Sequence, residues 1–500
     1  MPFIRFVIQS TAGASRPRPT GRRLSLGLIN PRKGRSVKKL PLVIGACVAG
    51  YLATVFIVDR FDVRLSEQHL ASAQLNGMDK LTSEAFKVLN SNGCQYCHTR
   101  NSELPFYANM PIAKQLMNKD IELAQRQFNI ESLLASAQQG KAVSEVDLAK
   151  IESVMQDNAM PPNLYLGMHW RSRLSDEEKG VLLDWVKAER LKQSSADAVA
   201  DAYKYEPVQP ITTSFPVNPA KVALGEKLYH DTRLSSDDTV SCASCHALDK
   251  GGVDRLDVSV GVGGSKGPIN APTVYNAAFN VLQFWDGRAA DLQKQAGGPP
   301  MNPLEMASTS WEQIVGKLTQ DAQLSAEFAA LYPEGITENS ITDAIAEFEK
   351  TLVTPNSRFD LFLKGQGDAL SSVEKEGYEL FKTAKCATCH VGEAMGGQSF
   401  ELMGIKKDYF ADRGNVSEVD HGRYNVTKDP HDMYRFKVPT LRNVALTAPY
   451  FHDASAKTLE DAVDKMAEYQ VGMKLSKDEI GKIVAFLQTL NGEYQGKTLQ

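Results

Sequence analysis

Gly225-Glu-Lys-Leu-Tyr229, followed by Cys242-Ala-Ser-Cys245-His246, is the stretch that decides the fold. Two thiols two residues apart with a histidine directly after them form the attachment signature of a c-type haem. The thiols become thioethers to the macrocycle and the histidine becomes the proximal iron ligand. The signature recurs at Cys94-Gln-Tyr-Cys97-His98 and Cys386-Ala-Thr-Cys389-His390, so six of the seven cysteines belong to three such sites. Paired zinc sites are the competing explanation, but zinc does not need a histidine beside the second cysteine each time. A cytochrome c motif is fed by an amphipathic helix, and Gly225-x-x-Leu-Tyr is echoed by Gly377-x-x-Leu-Phe381 before Cys386. The pattern predicts helices at 219–230, 371–383 and 81–91, with further helical periodicity at 112–157, 175–192, 310–332, 337–352, 458–470 and 476–490. Strand signals are short and scattered. The expected class is mainly α, with three cytochrome c-like haem domains after a single N-terminal transmembrane helix.

The motifs lie roughly one domain apart, and 500 residues, 42% hydrophobic and 23% charged, suffice for several folded units. A net charge of −4 is too small to suggest a nucleic-acid partner. The seventh cysteine, Cys47, sits in an apolar run from Leu40 to Val58, preceded by nine Arg and Lys residues between Arg16 and Lys39 and by no acid. Such a run just spans a bilayer as a helix with its basic flank on the cytoplasmic side. Everything after Asp59 would then face the periplasm from the inner membrane, in the compartment where haem c is attached. A cleaved signal peptide is the alternative, although the run exceeds an ordinary h-region and no small-x-small site follows closely. Ile44-Gly-Ala-Cys47 faintly resembles a lipoprotein site, against which the apolar residues continue past Cys47. The expected organisation is a basic cytoplasmic tail at 1–39, a transmembrane helix at 40–58, and haem domains at 75–195, 216–354 and 355–490. The Ser/Pro-containing stretch from Leu191 to Phe215 reads as a linker.

Downstream of His246 the irregular chain offers Trp285, within Phe284-Trp-Asp-Gly-Arg288, then an amide at Gln295 and a carboxyl at Glu305. Irregular stretches commonly mount reactive groups, and an open haem face lined by an acid/base suits O–O chemistry. In the first domain, Met160-Pro-Pro holds a methionine on an extended loop, suited to be a second axial ligand; Met155 and His169 compete with it. In the third, Met395, Met403, Met433, Met466 and Met473 are all eligible on residues alone. His230 could approach the haem on His246, although a surface position at a helix end is expected. His421, His431 and His452 are expected to be hydrogen-bonded structural or propionate-side groups.

Together these phrases resemble the bacterial di-haem cytochrome c peroxidase family. The residues that carry the resemblance are Cys242, Cys245 and His246 with Gly251-Gly-Val-Asp254, then Asn270-Ala-Pro-Thr273, Phe284 to Arg288, Gln295 and Asn302-Pro-Leu-Glu-Met306. In the last domain they are Phe436-Lys-Val-Pro-Thr-Leu-Arg442 and Pro449-Tyr-Phe-His452. The first domain is similar to a haem-binding domain found in front of tri-haem quinol peroxidases. The resemblance implies a peroxidatic haem on His246, Glu305 as distal acid/base, Gln295 as its hydrogen-bonding partner and Trp285 between two haems. It also implies Met466 as sixth ligand of the haem on His390, and a calcium ion on Asn270 with the carbonyls of Thr447 and Pro449, an oxygen-only set that suits a hard cation. Many members carry a distal histidine in the loop after the motif. Val258-Ser-Val-Gly-Val262-Gly-Gly-Ser-Lys266 has none, which implies a haem open to peroxide without prior reduction.

The expected protein is therefore a periplasm-facing tri-haem peroxidase. It would reduce hydrogen peroxide to water with electrons from membrane quinol, passed from the haem on His98 and Met160 to that on His390 and past Trp285. Three alternatives remain: a soluble periplasmic donor such as a cytochrome c or copper protein, a related enzyme that oxidises side chains of a partner protein, and a non-enzymatic membrane-tethered electron carrier. The second usually has a tyrosine in place of a methionine on its second haem. The third gains nothing from an unligated iron beside Gln295 and Glu305.

Overall fold

The computed structural model describes residues 40–72, 77–100, 102–193 and 199–500, and the basic tail expected at 1–39 lies outside them. The described chain is mainly helical, with two short antiparallel ribbons that pair Phe400–Leu402 with Arg435–Lys437 and Glu493–Tyr494 with Lys497–Thr498. The helix that begins at Leu40 does not stop at Val58, as the apolar run alone suggested, but continues to Ser72. No glycine or proline lies between Val58 and Ser72, and these later turns find partners. Val58 is buried with Tyr107, Ala108 and Met117, and Ser66 and Asn90 exchange two hydrogen bonds of 2.9 Å. The compact unit that holds all three motifs accordingly begins at Val55.

Within that unit one device is used three times. The helix leading into each motif crosses the last helix of its own domain, and the residue at the crossing is small. Pro219–Tyr229 crosses Glu338–Glu349 so closely that a Cβ on Gly225 would collide with the Ala344 carbonyl and the Phe348 side chain. Ser372–Thr383 crosses Lys477–Gln488 in the same way, with Gly377 against the Lys482 carbonyl and Phe486. Ala85, nine residues before Cys94 as Gly377 is before Cys386, is fully buried in Lys80–Ser91 beside the buried Trp185 of Asp176–Gln193. Side chains on both flanks close the cores: Leu224, Leu228, Phe328 and Ile345 in the second domain, and Phe359, Tyr378, Phe381 and Phe486 in the third. Capping fixes where these helices start. Asn218 accepts from Ala220 N ahead of Pro219, and Ser371 with Glu374 and Ser476 with Glu479 form capping boxes.

A second repeat joins the latter two domains. Pro272-Thr-Val-Tyr-Asn276 and Pro439-Thr-Leu-Arg-Asn443 place both asparagines at φ 62° and bury both. Their amides meet on one side chain: Asn276 Nδ2 and Asn443 Nδ2 donate to Thr354 Oγ1 at 2.8 and 3.0 Å. The stretch read as a linker is not a free tether where it is described. Val208 is fully buried in the core of the third domain, and the buried Arg442, paired with Asp360 at 2.9 Å, donates to the Gln209 carbonyl. The long periodicity at 112–157 resolves into Pro111–Gln127, Glu131–Gln138 and Glu145–Asp157, and that at 310–332 into Trp311–Leu318 and Ala322–Leu331.

Candidate functional site

All three Cys-x-x-Cys-His motifs line one continuous cavity of about 840 Å³. Each histidine is oriented by the backbone: His98 Nδ1 lies 2.8 Å from the Phe128 carbonyl, His390 Nδ1 3.2 Å from the Met395 carbonyl, and His246 Nδ1 3.4 Å from the Gly252 carbonyl. A donor at Nδ1 leaves the lone pair on Nε2, the form that ligates a metal. Burial pushes all three imidazoles below the usual histidine range, His390 to about 4, so they are neutral. Lys437 lines the same cavity, buried and with no carboxylate within ion-pair reach among the described residues, and burial pushes its ammonium down to about 8. Two thiols, a neutral imidazole and a largely apolar cavity fit a haem at each motif, and Lys437 is a buried cation suited to a haem carboxylate.

Around the motif at Cys242 the cavity is lined by Phe284, Trp285, Arg288, Gln295 and Glu305. Glu305 accepts from Asn302 Nδ2 at 2.7 Å. Burial raises its carboxyl, against which the Arg288 charge and the Asn302 bond act. Burial also raises the thiols of Cys242 and Cys245, and the charge of Glu305 adds to both, so the acid sits close to the motif. Arg288 is held over the Phe284 ring at 3.5 Å and against Asp286 at 3.1 Å. The loop without a histidine lies on the acid's own backbone: Val262 N donates to the Glu305 carbonyl at 2.8 Å, and Gly261 leaves no room there for a Cβ. His230 is exposed at its helix end and does not line the cavity.

Trp285 is bonded into both haem domains. Its indole donates to the Asn270 carbonyl at 2.9 Å, Asn270 N donates to the His452 carbonyl at 2.9 Å, and the Trp285 carbonyl accepts from Lys437 N at 2.8 Å. His452 is buried, stacked on Phe436 at 4.2 Å and bonded through Nε2 to Asp420. Arg413 bridges Asp420 and Asp453, so this acidic group already has its cation. His431 pairs with Asp429 on the surface. Asn270, Thr447 and Pro449 all line the cavity; the Asn270 amide nitrogen is committed to the Leu256 carbonyl, which leaves Oδ1 as its acceptor.

Among the methionines of the third domain, Met466, Met403 and Met473 line the cavity, whereas Met395 is a fully buried core residue and neither it nor Met433 lines it. Met466 opens a π-helical turn, Met466–Val471, at the end of Leu459–Lys465. Such turns often mark functional positions. In the first domain Met160 and Met155 both line the cavity, and Met160 is 37% exposed. His169 does not: it is paired with Asp62 at 2.7 Å, which removes it as a competitor for that haem. The first domain packs on the third motif, since Val146 and Ala149 of Glu145–Asp157 meet Val391, directly after His390, and Lys150 pairs with Glu401 at 2.7 Å. Arg288, Phe284, Asn302 and Lys437 sit inside the phrases that carry the resemblance, but no role of their own was read for them from the sequence. The Pro-Thr-x-x-Asn repeat, which sets the chain beside His246 and His390, was a legible signal for the surrounding segments.

Residues 219–368 match the profile described as di-haem cytochrome c peroxidase, 53–188 a haem-binding domain and 374–491 cytochrome c. The chain is 53% identical over 426 residues to cytochrome c peroxidase Ccp of Escherichia coli (strain K12), covering 85% of this chain and 91% of that one. It is 47% identical over 291 residues to cytochrome c551 peroxidase of Nitrosomonas europaea, covering 58% and 85%. A crystal structure of a MauG-like protein associated with microbial copper homeostasis matches at a TM-score of 0.50 and 30% identity, over 56% of this chain and 92% of that one.

Proposed function

Because this chain belongs to the di-haem cytochrome c peroxidase family and is thus a haem c peroxidase acting on hydrogen peroxide, we propose that it carries three haems and is anchored in the inner membrane. In this reading it faces the periplasm and draws its electrons from quinol. The observation that carries the reading is the single cavity shared by three motifs, with Glu305, Gln295 and Arg288 on its wall and the Glu305 charge acting on Cys242 and Cys245. The domains are then a transmembrane helix, a first haem domain that includes the helix turns beyond Val58, a peroxidatic domain at 216–354 and an electron-transfer domain at 355–490.

Bound at Cys242, Cys245 and His246, a haem supplies the iron at which the O–O bond is cleaved. Glu305, as carboxylate, takes the proton from the inner oxygen of peroxide and returns it to the outer one, which leaves as water. Gln295 orients the peroxide, and Arg288 keeps the buried acid ionisable. Met160 with His98, and Met466 with His390, would hold the other two haems, which would supply electron transfer. The packing of Val146 and Ala149 on Val391 supports transfer from the first domain to the third, and the bonds of Trp285 to both later domains support transfer past it. Calcium on Asn270 with the carbonyls of Thr447 and Pro449 would pin the same junction. Met466 on the cavity wall favours this reading over a protein-modifying enzyme.

The test is turnover of the full chain in lipid nanodiscs with a haem assay beside it. Three haems per chain and peroxide reduction driven by ubiquinol-1 are expected; two haems, or turnover driven by a reduced soluble cytochrome and not by the quinol, would overturn the corresponding part.

A further inference from the structure

Beside the haem cavity lies a smaller one of about 370 Å³, whose lining includes Asp62, Val63, Asn92, His169 and Arg171. Its polar groups are organised around one imidazole. His169, 9% exposed, has Nδ1 2.7 Å from Asp62 Oδ2, and Asp62 Oδ1 accepts from the Tyr107 hydroxyl at 2.6 Å. Arg171 Nε is 2.9 Å from Asp59 Oδ1. The His169 ring lies flat on Tyr165, with centroids 3.9 Å apart and planes within 8°. Tyr165 in turn lines the haem cavity with Cys97 and His98, and Asn92 lines both cavities. One aromatic ring thus separates this imidazole from the first haem's cavity.

A carboxylate that holds Nδ1–H leaves Nε2 of the imidazole free to accept a proton, which is how a histidine is set up as a general base. A haem closed by two axial ligands takes electrons but no protons. A donor that gives up both must be oxidised where a base and a haem edge are adjacent, and this is such a place. Its location narrows the donor. The apolar run of the N-terminal helix ends at Val58, and Asp59 and Asp62 are on the next turn of the same helix. Large apolar side chains are exposed in the same segments: Phe61 (46%), Phe106 (46%), Leu164 (69%) and Trp170 (51%), with the Phe61 and Phe106 rings 4.6 Å apart. Apolar and amphipathic rings just past a membrane span suit the lipid interface.

We propose that this cavity binds the head group of a membrane quinol and that the Asp62–His169 pair receives its protons. The inference rests on the quinol reading above and gives it a site. The two O–H bonds of the quinol break; their protons go to His169 Nε2 and on to solvent, and the two electrons pass by Tyr165 to the haem on His98. The quinol is oxidised to quinone while hydrogen peroxide takes up the two electrons and two protons and leaves as two waters.

The experiment uses the full haem-loaded chain in nanodiscs, ubiquinol-1 as the quinol and ABTS as a soluble one-electron donor. Three variants are compared with the wild type: His169→Gln, Asp62→Asn, and Val63→Trp, which fills the cavity and leaves the ion pair alone. The expected result is a quinol-driven rate at least tenfold lower in each, with ABTS turnover retained. His169→Gln should lower kcat for quinol at an unchanged KM, and Val63→Trp should raise KM and abolish ubiquinone-1 binding in calorimetry. Quinol turnover unchanged in all three overturns the site while the donor reading stands. Equal loss with both donors overturns it too, because the pair would then only fasten the N-terminal helix. A wild type that oxidises no ubiquinol-1 but accepts electrons from a soluble cytochrome removes the donor reading itself, and the site with it.

Discussion

The domains around His246 and His390 share a helix crossing over a glycine, a Pro-Thr-x-x-Asn phrase and a histidine turned to a backbone carbonyl, yet they differ in the side chains they bring to the cavity. The first brings Glu305 and Arg288 from irregular chain and Gln295 from the short helix Leu292–Ala296. The second brings Met466 from a π-helical turn at the end of a helix. On the proposed function, the scaffold fixes where a haem would be held, and a handful of residues outside the shared elements would decide whether that haem reacts or relays. The same proposal would make the two domains depend on each other, because a relay without the acid would have no substrate and an acid beside an iron that is not re-reduced would turn over once.

The comparison breaks most sharply at Glu305. Glu305→Gln keeps the size and the bond to Asn302 but cannot take a proton, so peroxide turnover should fall by about 10²–10⁴-fold, while the absorption spectrum of the resting protein is unchanged. An unchanged rate would mean that the acid/base lies elsewhere. Met466→Leu tests the other half. Removing the thioether should convert one haem from a low-spin to a high-spin spectrum and lower its potential, with donor-driven turnover down about tenfold or more and peroxide chemistry at the other haem intact. If the spectrum does not change, Met403 or Met473 is the ligand. The scaffold itself is tested by Gly225→Ala and Gly377→Ala. Each forces a methyl into a facing carbonyl, so each should cost about 1–3 kcal/mol in unfolding free energy, and a closely similar loss in both is expected because the crossings are copies.

What the sequence disclosed follows from the same division. Covalent attachment leaves a local, contiguous signature, so Cys242-x-x-Cys245-His246 and its two counterparts were legible without any tertiary knowledge, as was Gly225 echoed by Gly377. The first domain hid its version of the crossing because Ala85 replaces the glycine. The candidate methionine ligands lie far along the chain from their motifs and carry no local pattern. Met160 stood out only through the prolines after it, Met466 only by resemblance, and His169 looked eligible until its bond to Asp62 was seen. The end of the first helix was misjudged at Val58 because hydropathy reports where a membrane ends and says nothing of a helix that continues onto a protein surface through Val58 and Ser66. Arg288 could not be read as a partner of Glu305, since the two are brought together only by the fold.

That partnership supplies the finest test. Burial raises the Glu305 carboxyl, and the Arg288 charge opposes the rise. Glu305 must be ionised to accept a proton, so activity should be low below its pKa and grow as pH climbs through it. Arg288→Leu removes the opposing charge while keeping apolar contact with Phe284. The carboxyl then rises further, and the acid limb of the kcat/KM profile should move to higher pH, with the two proteins converging at alkaline pH where both are ionised. The displacement should be small, because the Arg288 side chain is 47% exposed and already paired with Asp286, and added salt should shrink it further by screening. A limb that stays in place would mean that the guanidinium does not reach the acid, and a uniform drop at every pH would mean that Arg288 holds substrate instead of tuning Glu305.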